Sequence, residues 1–132
     1  MAVEIPAGFR DLLEKPAFAH LATLMRDGSP QVTPVWVDVH GGYVRVNSAK
    51  GRLKDKNMRR DRRVALSIQD PQNAYRYLEI RGKVVEITEA GADAHIDALA
   101  KKYLGADTYP FRQAGEQRVI YKIEPHGFST MG

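Results

Sequence analysis

Apolar and polar residues alternate along the first half of the chain, and this alternation predicts three consecutive β-strands. Residues 18–24 form a largely apolar run, and valines recur at every second position within residues 31–40 and 43–48. An Asp-Gly pair at 27–28 and a Gly-Gly pair at 41–42 separate the runs, and both pairs favour tight hairpin turns. The pattern therefore predicts a strand–turn–strand–turn–strand meander.

The strand predicted over residues 31–40 has two different faces. Valines occupy the inward face, whereas Pro34, Trp36 and Asp38 occupy the other. Because proline lacks the N–H group of a ladder hydrogen bond, this strand is interrupted or lies at a sheet edge near Pro34. The inward residues of this strand and the next are Val35, Val37, Val39, Val44 and Val46.

The rest of the chain predicts three more strands and three helices. The strands cover residues 63–70, 74–87 and 117–125, and the helices cover residues 4–14, 51–60 and 89–104. Thr88 is the expected N-cap of the last helix, and Gly105 is its expected end. Inward residues are Val64, Leu66, Ile68, Leu78, Ile80, Ile96, Leu99, Ala100, Tyr103, Leu104, Val119, Tyr121 and Ile123.

Gly82 interrupts the long fifth strand. Leu78 and Ile80 form the inward set before the glycine, and the apolar phase then shifts to Val85 and Ile87. A shift of this kind at a glycine indicates a β-bulge or a bend.

These elements predict a single domain over residues 1–132, mainly β with small helices, in which six antiparallel strands close into a split β-barrel. Side chains fill the interior of so small a barrel. A sizeable ligand must therefore bind in a groove on the outer wall, which a second subunit can complete.

Charge is concentrated in residues 50–63, which hold eight basic and two acidic residues, a net charge of +6. The whole chain has a net charge of +4, so the remainder sums to −2. A localised basic segment indicates a localised anionic partner.

Several classes of function are not expected from the composition. There is no cysteine, which removes disulfides and thiolate chemistry and fits a cytoplasmic location. The four histidines have no metal-ligand spacing, so no metal site is expected, and no apolar run is long enough to cross a membrane. His20 is interpreted as a core residue, His95 as a residue of the helix surface, and no catalytic residue is assigned.

The basic segment suits a phosphate group. Arginine offers a planar fork of donors, lysine adds a point charge, and the start of a helix adds free N–H groups. Arg52 and Lys54 are the first candidates, with Lys50 and Ser48 as support, and Gly51 allows a close backbone approach. The alternative is a solvated basic face, which is the preferred interpretation for Lys56, Arg59, Arg60, Arg62 and Arg63.

A flat ring system could lie beside the strand over residues 31–40. Trp36 could form an aromatic wall there, although dimer packing explains it equally well. The interrupted ladder at Pro34 leaves backbone groups of Thr33 and Val35 available to a ring's polar edge. Tyr75, Tyr77 and Arg81 share the outer face of the long strand, and Tyr77 and Arg81 are candidate cofactor contacts. Arg81 either reaches the cofactor or a substrate across a subunit interface or pairs with Glu79 or solvent.

The segments HLATLMRDGSPQVTPVWV (20–37), YVRVNSAKGRLKDKNMRRDRRVALSI (43–68) and YLEIRGKVVEI (77–87) resemble the pyridoxamine-phosphate-oxidase-like split barrels. Within that superfamily they resemble the small F420-dependent flavin/deazaflavin oxidoreductases. The resemblance implies a homodimer with cofactor sites at the interface. It also implies phosphate binding around Ser48, Lys50, Arg52 and Lys54, with the backbone of residues 33–36 along the ring and the outer face of the fifth strand, including Tyr77, at the partner.

The function that the resemblance implies is an F420H2-dependent reductase acting on unsaturated small molecules. Surplus basic residues could contact the anionic tail of F420, which FMN lacks. The first alternative is an FMN-binding oxidoreductase or flavin carrier. The chain ends soon after its last strand, without the substrate-binding extension of longer relatives, so pyridoxamine-phosphate oxidation is not expected.

An alternative of another class is a non-catalytic nucleic-acid-binding barrel. Such a barrel should interleave aromatic residues with its basic ones, and residues 50–63 contain none. No nucleic-acid partner is therefore expected.

Overall fold

The computed structural model describes residues 2–132, which form seven antiparallel β-strands, three short α-helices and one 3-10 turn. The strands are β1 (Ala19–Leu24), β2 (Pro30–Val35), β3 (Val37–His40), β4 (Tyr43–Ala49), β5 (Arg63–Asp70), β6 (Asn73–Thr88) and β7 (Arg118–Met131). The helices are α1 (Asp11–Glu14), α2 (Leu53–Arg60) and α3 (Ala92–Leu104), and the 3-10 turn covers Ala7–Phe9. The predicted fold, mainly β with small helices, is confirmed.

The strands pair in the order β2-β1-β5-β6-β7-β4-β3. The two edge strands, β2 and β3, are neighbours in sequence and only Trp36 lies between them. Because one residue cannot span a flat sheet, the sheet curls until its edges approach each other, which is the geometry of a split barrel. The predicted single strand over residues 31–40 is therefore two strands, and this accounts for seven strands instead of six.

The predicted inward residues fill the barrel. Val37, Val44, Leu66, Leu78 and Tyr121 are among the side chains that are fully or almost fully buried there. Helix α1 adds Leu12 and Leu13 to this core, and α2 adds Met58. Each side chain of this kind contributes roughly 1.5–3 kcal/mol when it is fully buried, so the core stabilises the frame that positions the outer wall.

Gly82 lies at a register shift between β6 and β7, as predicted. A side chain here would collide with the carbonyl oxygen of Glu124, which explains the glycine. The inward phase nevertheless continues to Val84, which is buried, while Val85 is 44% exposed. The predicted shift to Val85 is therefore wrong. A second register irregularity lies between Val84 and Glu86, so the inward face changes only after Val84, and the next residue on it is the half-buried Ile87.

Helix α3 packs across β4 and β7 and differs from its prediction mainly at its start. It begins at Ala92 with Gly91 as N-cap, whereas Thr88 accepts a hydrogen bond from the N–H of Ala90. Gly105 ends the helix with a φ of 71°, as predicted. Leu104, predicted inward, is 50% exposed because the helix ends there. None of the helices within residues 2–132 combines the length and the apolar character needed to cross a membrane.

Candidate cofactor site

The turn between β4 and α2 presents the start of a helix to the outer wall of the barrel. Gly51 has a φ of +93°, which favours glycine, and helix α2 begins two residues later. Arg52 is the N-cap residue, and its side chain makes no capping hydrogen bond. The first N–H groups of α2 therefore have no side-chain acceptor from the cap residue, which suits an anion.

Asp55 holds this turn in place through hydrogen bonds. Its carboxylate accepts hydrogen bonds from the Gly51 N–H over 2.9 Å, from Arg59 Nε over 2.9 Å and from the Tyr121 hydroxyl. Burial alone would raise the pKa of Asp55, but these hydrogen bonds outweigh it and lower the pKa. This role of Asp55 could not be predicted from its neighbours in sequence, because Tyr121 is 66 positions away along the chain.

A cavity beside this turn brings several predicted residues together. Pro34, Val35 and Trp36 of the seam between β2 and β3 line one side, and Arg52 and Lys54 of the basic turn line the other. The remaining lining residues were not predicted: Phe18, Asn47, Ile96, Tyr109, Phe111 and Arg118. The cavity thus joins a basic wall to an aromatic one.

The basic wall is a cationic cluster of Arg52, Lys54 and Arg118. Burial lowers the pKa of Lys54, and the positive charges of Arg52 and Arg118 lower it further. Glu116 approaches both arginines, at 3.6 Å from Arg52 Nη2 and 3.0 Å from Arg118 Nη1. Because Glu116 offsets only part of this charge, the cluster is suited to bind an anion.

The aromatic wall is built around Trp36. Its ring stacks on that of Tyr103, with centroids 5.3 Å apart and an interplanar angle of 12°. Tyr109 meets Trp36 edge-on at 6.0 Å, and Phe111 in turn meets Tyr109 at 5.7 Å. Phe18 and Phe111 remain 54% and 61% exposed, so aromatic surface is available to a flat ligand.

Tyr103 also anchors the seam itself. Its hydroxyl accepts a hydrogen bond from the Val37 N–H over 3.0 Å and donates to the Ala17 carbonyl over 2.7 Å. Lys102 donates to the carbonyls of Val37 and Leu13, each over 2.6 Å. Burial lowers the pKa of Lys102 to about 8 and raises that of Tyr103 to about 12.

Other predicted site residues lie outside this cavity. Lys50 and Gly51 line an adjacent groove, which Arg52 shares and which residues 113–117 close on the opposite side. Ser48 occupies the same face of β4 as Val44 and Val46, so its hydroxyl points into the barrel.

Thr33, Tyr77 and Arg81 complete the predicted set. The hydroxyl of Thr33, like that of Ser48, has no hydrogen-bond partner within residues 2–132. Tyr77 and Arg81 lie on β6, away from the cavity, and Arg81 pairs with Glu79 at 3.2 Å. The cavity of one chain therefore contains only part of the predicted site residues, and Tyr77 and Arg81 lie elsewhere on the barrel.

Much of the remaining basic segment serves the fold. Arg59 pairs with Asp55, Arg60 donates to the Leu24 carbonyl over 2.8 Å, and Arg63 pairs with Asp61 at 2.8 Å. These three arginines are exposed but each is bonded within the protein, so the solvated-face interpretation describes only their exposure and not their contacts.

His20, interpreted as a core residue, is exposed on β1, so that interpretation is wrong. His95 is buried, so its interpretation as a helix-surface residue is also wrong. In the tautomer of His95 with its proton on Nε2, Nδ1 accepts from Asn47 Nδ2 and Nε2 donates to Asp38 Oδ2, each over 3.0 Å. Asp38 also accepts two hydrogen bonds of 2.9 Å from Arg45. Burial alone would raise the pKa of Asp38, but the bonds from His95 and Arg45 lower it to about 2.

Asp38 should make the fold sensitive to acid. Because its folded pKa lies below the ordinary 3.8, its contribution is present above that value and is lost as the pH falls toward about 2. Between about pH 6 and about pH 3 this loss should reach about 1 kcal/mol of unfolding free energy. Urea unfolding of Asp38→Asn at both pH values should show a correspondingly smaller acid effect, and an unchanged acid effect would contradict the assignment.

Comparisons with known proteins agree with this fold. The family model described as pyridoxamine 5'-phosphate oxidase matches residues 5–132. An F420 reductase of known structure is 36% identical and superposes with a TM-score of 0.83, over 95% of this chain and 98% of that one. Comparison with curated proteins returned no match.

Two further structures support the fold alone, since both are less than 25% identical. A conserved hypothetical protein from Mycobacterium tuberculosis is 23% identical with a TM-score of 0.75, over 98% of this chain and 86% of that one. A putative pyridoxamine 5'-phosphate oxidase from Listeria innocua is 21% identical with a TM-score of 0.66, over 91% and 92% of the two chains.

Proposed function

Because the chain belongs to the pyridoxamine 5'-phosphate oxidase family, we propose that it is an oxidoreductase that binds coenzyme F420 in the cavity described above. In this proposal the protein reduces an unsaturated small molecule with F420H2. The observation that carries the proposal is the junction of a cationic cluster with an aromatic wall in one cavity. A phosphate-bearing flat ring system needs both surfaces.

The residues present fit such a group. Arg52 and Lys54 would hold the phosphate together with the N–H groups of the first turn of α2, and Lys50 and Gly51 would support it from the adjacent groove. The backbone of residues 33–36 would lie along the ring, where Trp36 offers a flat face. Lys54, whose pKa is lowered in the free protein, would be stabilised as a cation by the bound phosphate.

The cofactor supplies the hydride, and the protein supplies binding, orientation and exclusion of water. Reduction of the substrate's double bond would take this hydride and, from the solution, one proton. Phe18 and Phe111, which are exposed at the aromatic wall, would shield the reacting face from water.

A homodimer would complete the site. The cavity of one chain encloses about 180 Å³, below the roughly 300–1,000 Å³ of most small-molecule sites. A second subunit would cover the part of a bound cofactor that this open cavity and the adjacent groove leave exposed. The outer face of β6, with Tyr77 and Arg81, is the surface we assign to that contact.

F420 is preferred to FMN because the 36% identical structure is described as an F420 reductase. FMN binding, in an oxidoreductase or a flavin carrier, is the second candidate, since both cofactors present a phosphate and a planar ring to the same two walls.

Titration with each cofactor tests the proposal. The purified protein should bind F420 with a dissociation constant in the low micromolar range, quench its fluorescence and gain thermal stability, while FMN produces a much smaller change. Light scattering on the same sample should give twice the mass of the chain. Preference for FMN would favour the second candidate, and no response to either cofactor would overturn the proposal.

A further inference from the structure

Arg118 is a buried cation in the cavity wall that the proposed phosphate contacts do not include. Its side chain is 3% exposed, and its guanidinium carbon lies 5.0 Å from the centre of the Tyr109 ring. Its Nε donates to Asn47 Oδ1 over 2.9 Å, and its Nη1 donates to Glu116 Oε1 over 3.0 Å. These neighbours hold the guanidinium in one orientation, so it loses little conformational freedom when a ligand binds.

Asn47 has no freedom to turn its amide. Its Nδ2 donates to the Ala92 carbonyl and to His95 Nδ1, each over 3.0 Å, while Oδ1 faces the guanidinium. A flip of the amide would place Nδ2 against Arg118 Nε, donor against donor, and would leave the Ala92 carbonyl without its partner. His95 is held in turn by Asp38, so this hydrogen-bonded row fixes the direction of Arg118.

Resting on the proposed function, we propose that Arg118 is a third cationic contact of the bound phosphate group and that Asn47 is the positioning residue that aims it. Arg118 contacts the oxygens of the anion, and Asn47 acts only through Arg118. Arg52 is 47% exposed and must be ordered by the ligand, whereas Arg118 is already in place.

Charge in the free protein supports this arrangement. Burial lowers the pKa of Lys54 first, and the charges of Arg52 and Arg118 then add to the effect, so Arg118 is close enough to Lys54 to repel it. Glu116 compensates part of this repulsion through its contacts with both arginines. A bound phosphate would relieve the rest, which favours occupation of the cluster by an anion.

The test uses inorganic phosphate as the probe and three variants of the full chain. Arg118→Gln removes the charge. Asn47→Ser shortens the side chain, so that its oxygen no longer reaches Arg118 Nε, but keeps the charge of Arg118. Arg63→Gln is a matched control on the exposed surface. Phosphate affinity is measured by NMR titration, the pKa of Lys54 by NMR of its side-chain methylene next to the amine, and stability by thermal unfolding without ligand.

Arg118→Gln should weaken phosphate binding at least tenfold and raise the pKa of Lys54 toward its ordinary value. Asn47→Ser should weaken binding by about three- to tenfold while the pKa of Lys54 stays low, because the charge remains. Arg63→Gln should change neither quantity. If Arg118→Gln does not fold, the comparison of Asn47→Ser with Arg63→Gln decides the question.

A purely structural role predicts lower thermal stability with phosphate affinity unchanged, whatever happens to the pKa of Lys54, and that result would overturn the inference. No binding of phosphate by the wild-type protein would overturn it as well. If phosphate binds through Arg118 but neither F420 nor FMN binds, the proposed function fails and this inference stands. If F420 binds equally well to Arg118→Gln, the inference fails and the function stands.

Discussion

Asp55→Ala should lower the free energy of unfolding by about 3 kcal/mol. The substitution leaves the Gly51 N–H, the Tyr121 hydroxyl and the Arg59 guanidinium without the acceptor they share. Removing one partner from a buried network of charged hydrogen bonds typically lowers the free energy of unfolding by roughly this amount. The loss is not larger because Arg59 is partly exposed and can be solvated by water. Urea denaturation of the wild type and the variant under identical buffer conditions measures the difference.

Asp61→Ala is the matched control for this prediction. Asp61 lies in the same basic segment and pairs with Arg63, whose side chain is 75% exposed, so its removal should lower stability by less than about 1 kcal/mol. A double-mutant cycle with Tyr121→Phe should show a clear coupling energy for the Asp55 pair. Equal losses for Asp55→Ala and Asp61→Ala would show that Asp55 does not anchor the turn.

Arg52→Ala and Lys54→Ala should each weaken F420 binding by roughly 1.5–3 kcal/mol, which is about ten- to a hundredfold in dissociation constant. Both side chains line the cavity beside the start of α2, where the phosphate is proposed to lie. Lys56→Ala removes an exposed charge from the same helix and should leave the affinity unchanged. Fluorescence titration of the four proteins provides the comparison.

Lys54 adds a pH dependence to this affinity. Its pKa is lowered in the free protein and should rise when the phosphate binds, so binding takes up protons near that pKa. Affinity should therefore be highest below the pKa of the free Lys54 and should fall as the pH rises through it. In Lys54→Ala this fall should be absent, and its persistence there would assign it to another group.

The sequence predicted the barrel because alternation with a period of two marks the inward face of most strands. The same alternation continues through Trp36, since Val35 and Val37 are both buried, although they belong to opposite edges of the sheet. The two-residue period of apolar residues does not indicate which strands pair with each other. The predicted phase of β6 failed for a related reason, because Val84 and Val85 are identical side chains and only the pairing with β7 distinguishes them.

The basic turn of the candidate site could be predicted because its residues are close in sequence. The site roles of Arg118, Asn47 and Tyr103 could not, because their long-range contacts join residues 45 to 86 positions apart. His95 looked like a surface residue because its partners, Asp38 and Asn47, come from two different strands. These polar contacts depend on how α3 packs over the sheet, which a single sequence does not specify.

Trp36 connects β2 and β3, the two edge strands of the sheet, and its ring also lines the cavity. Any transient opening of the barrel at this point must therefore disturb the surface on which a flat ligand would rest. By mass action, a ligand that binds only the closed form opposes such opening by a free energy that grows with its concentration. Ligand binding at the outer wall would thus stabilise the closed barrel, and opening of the barrel would weaken ligand binding to the same extent.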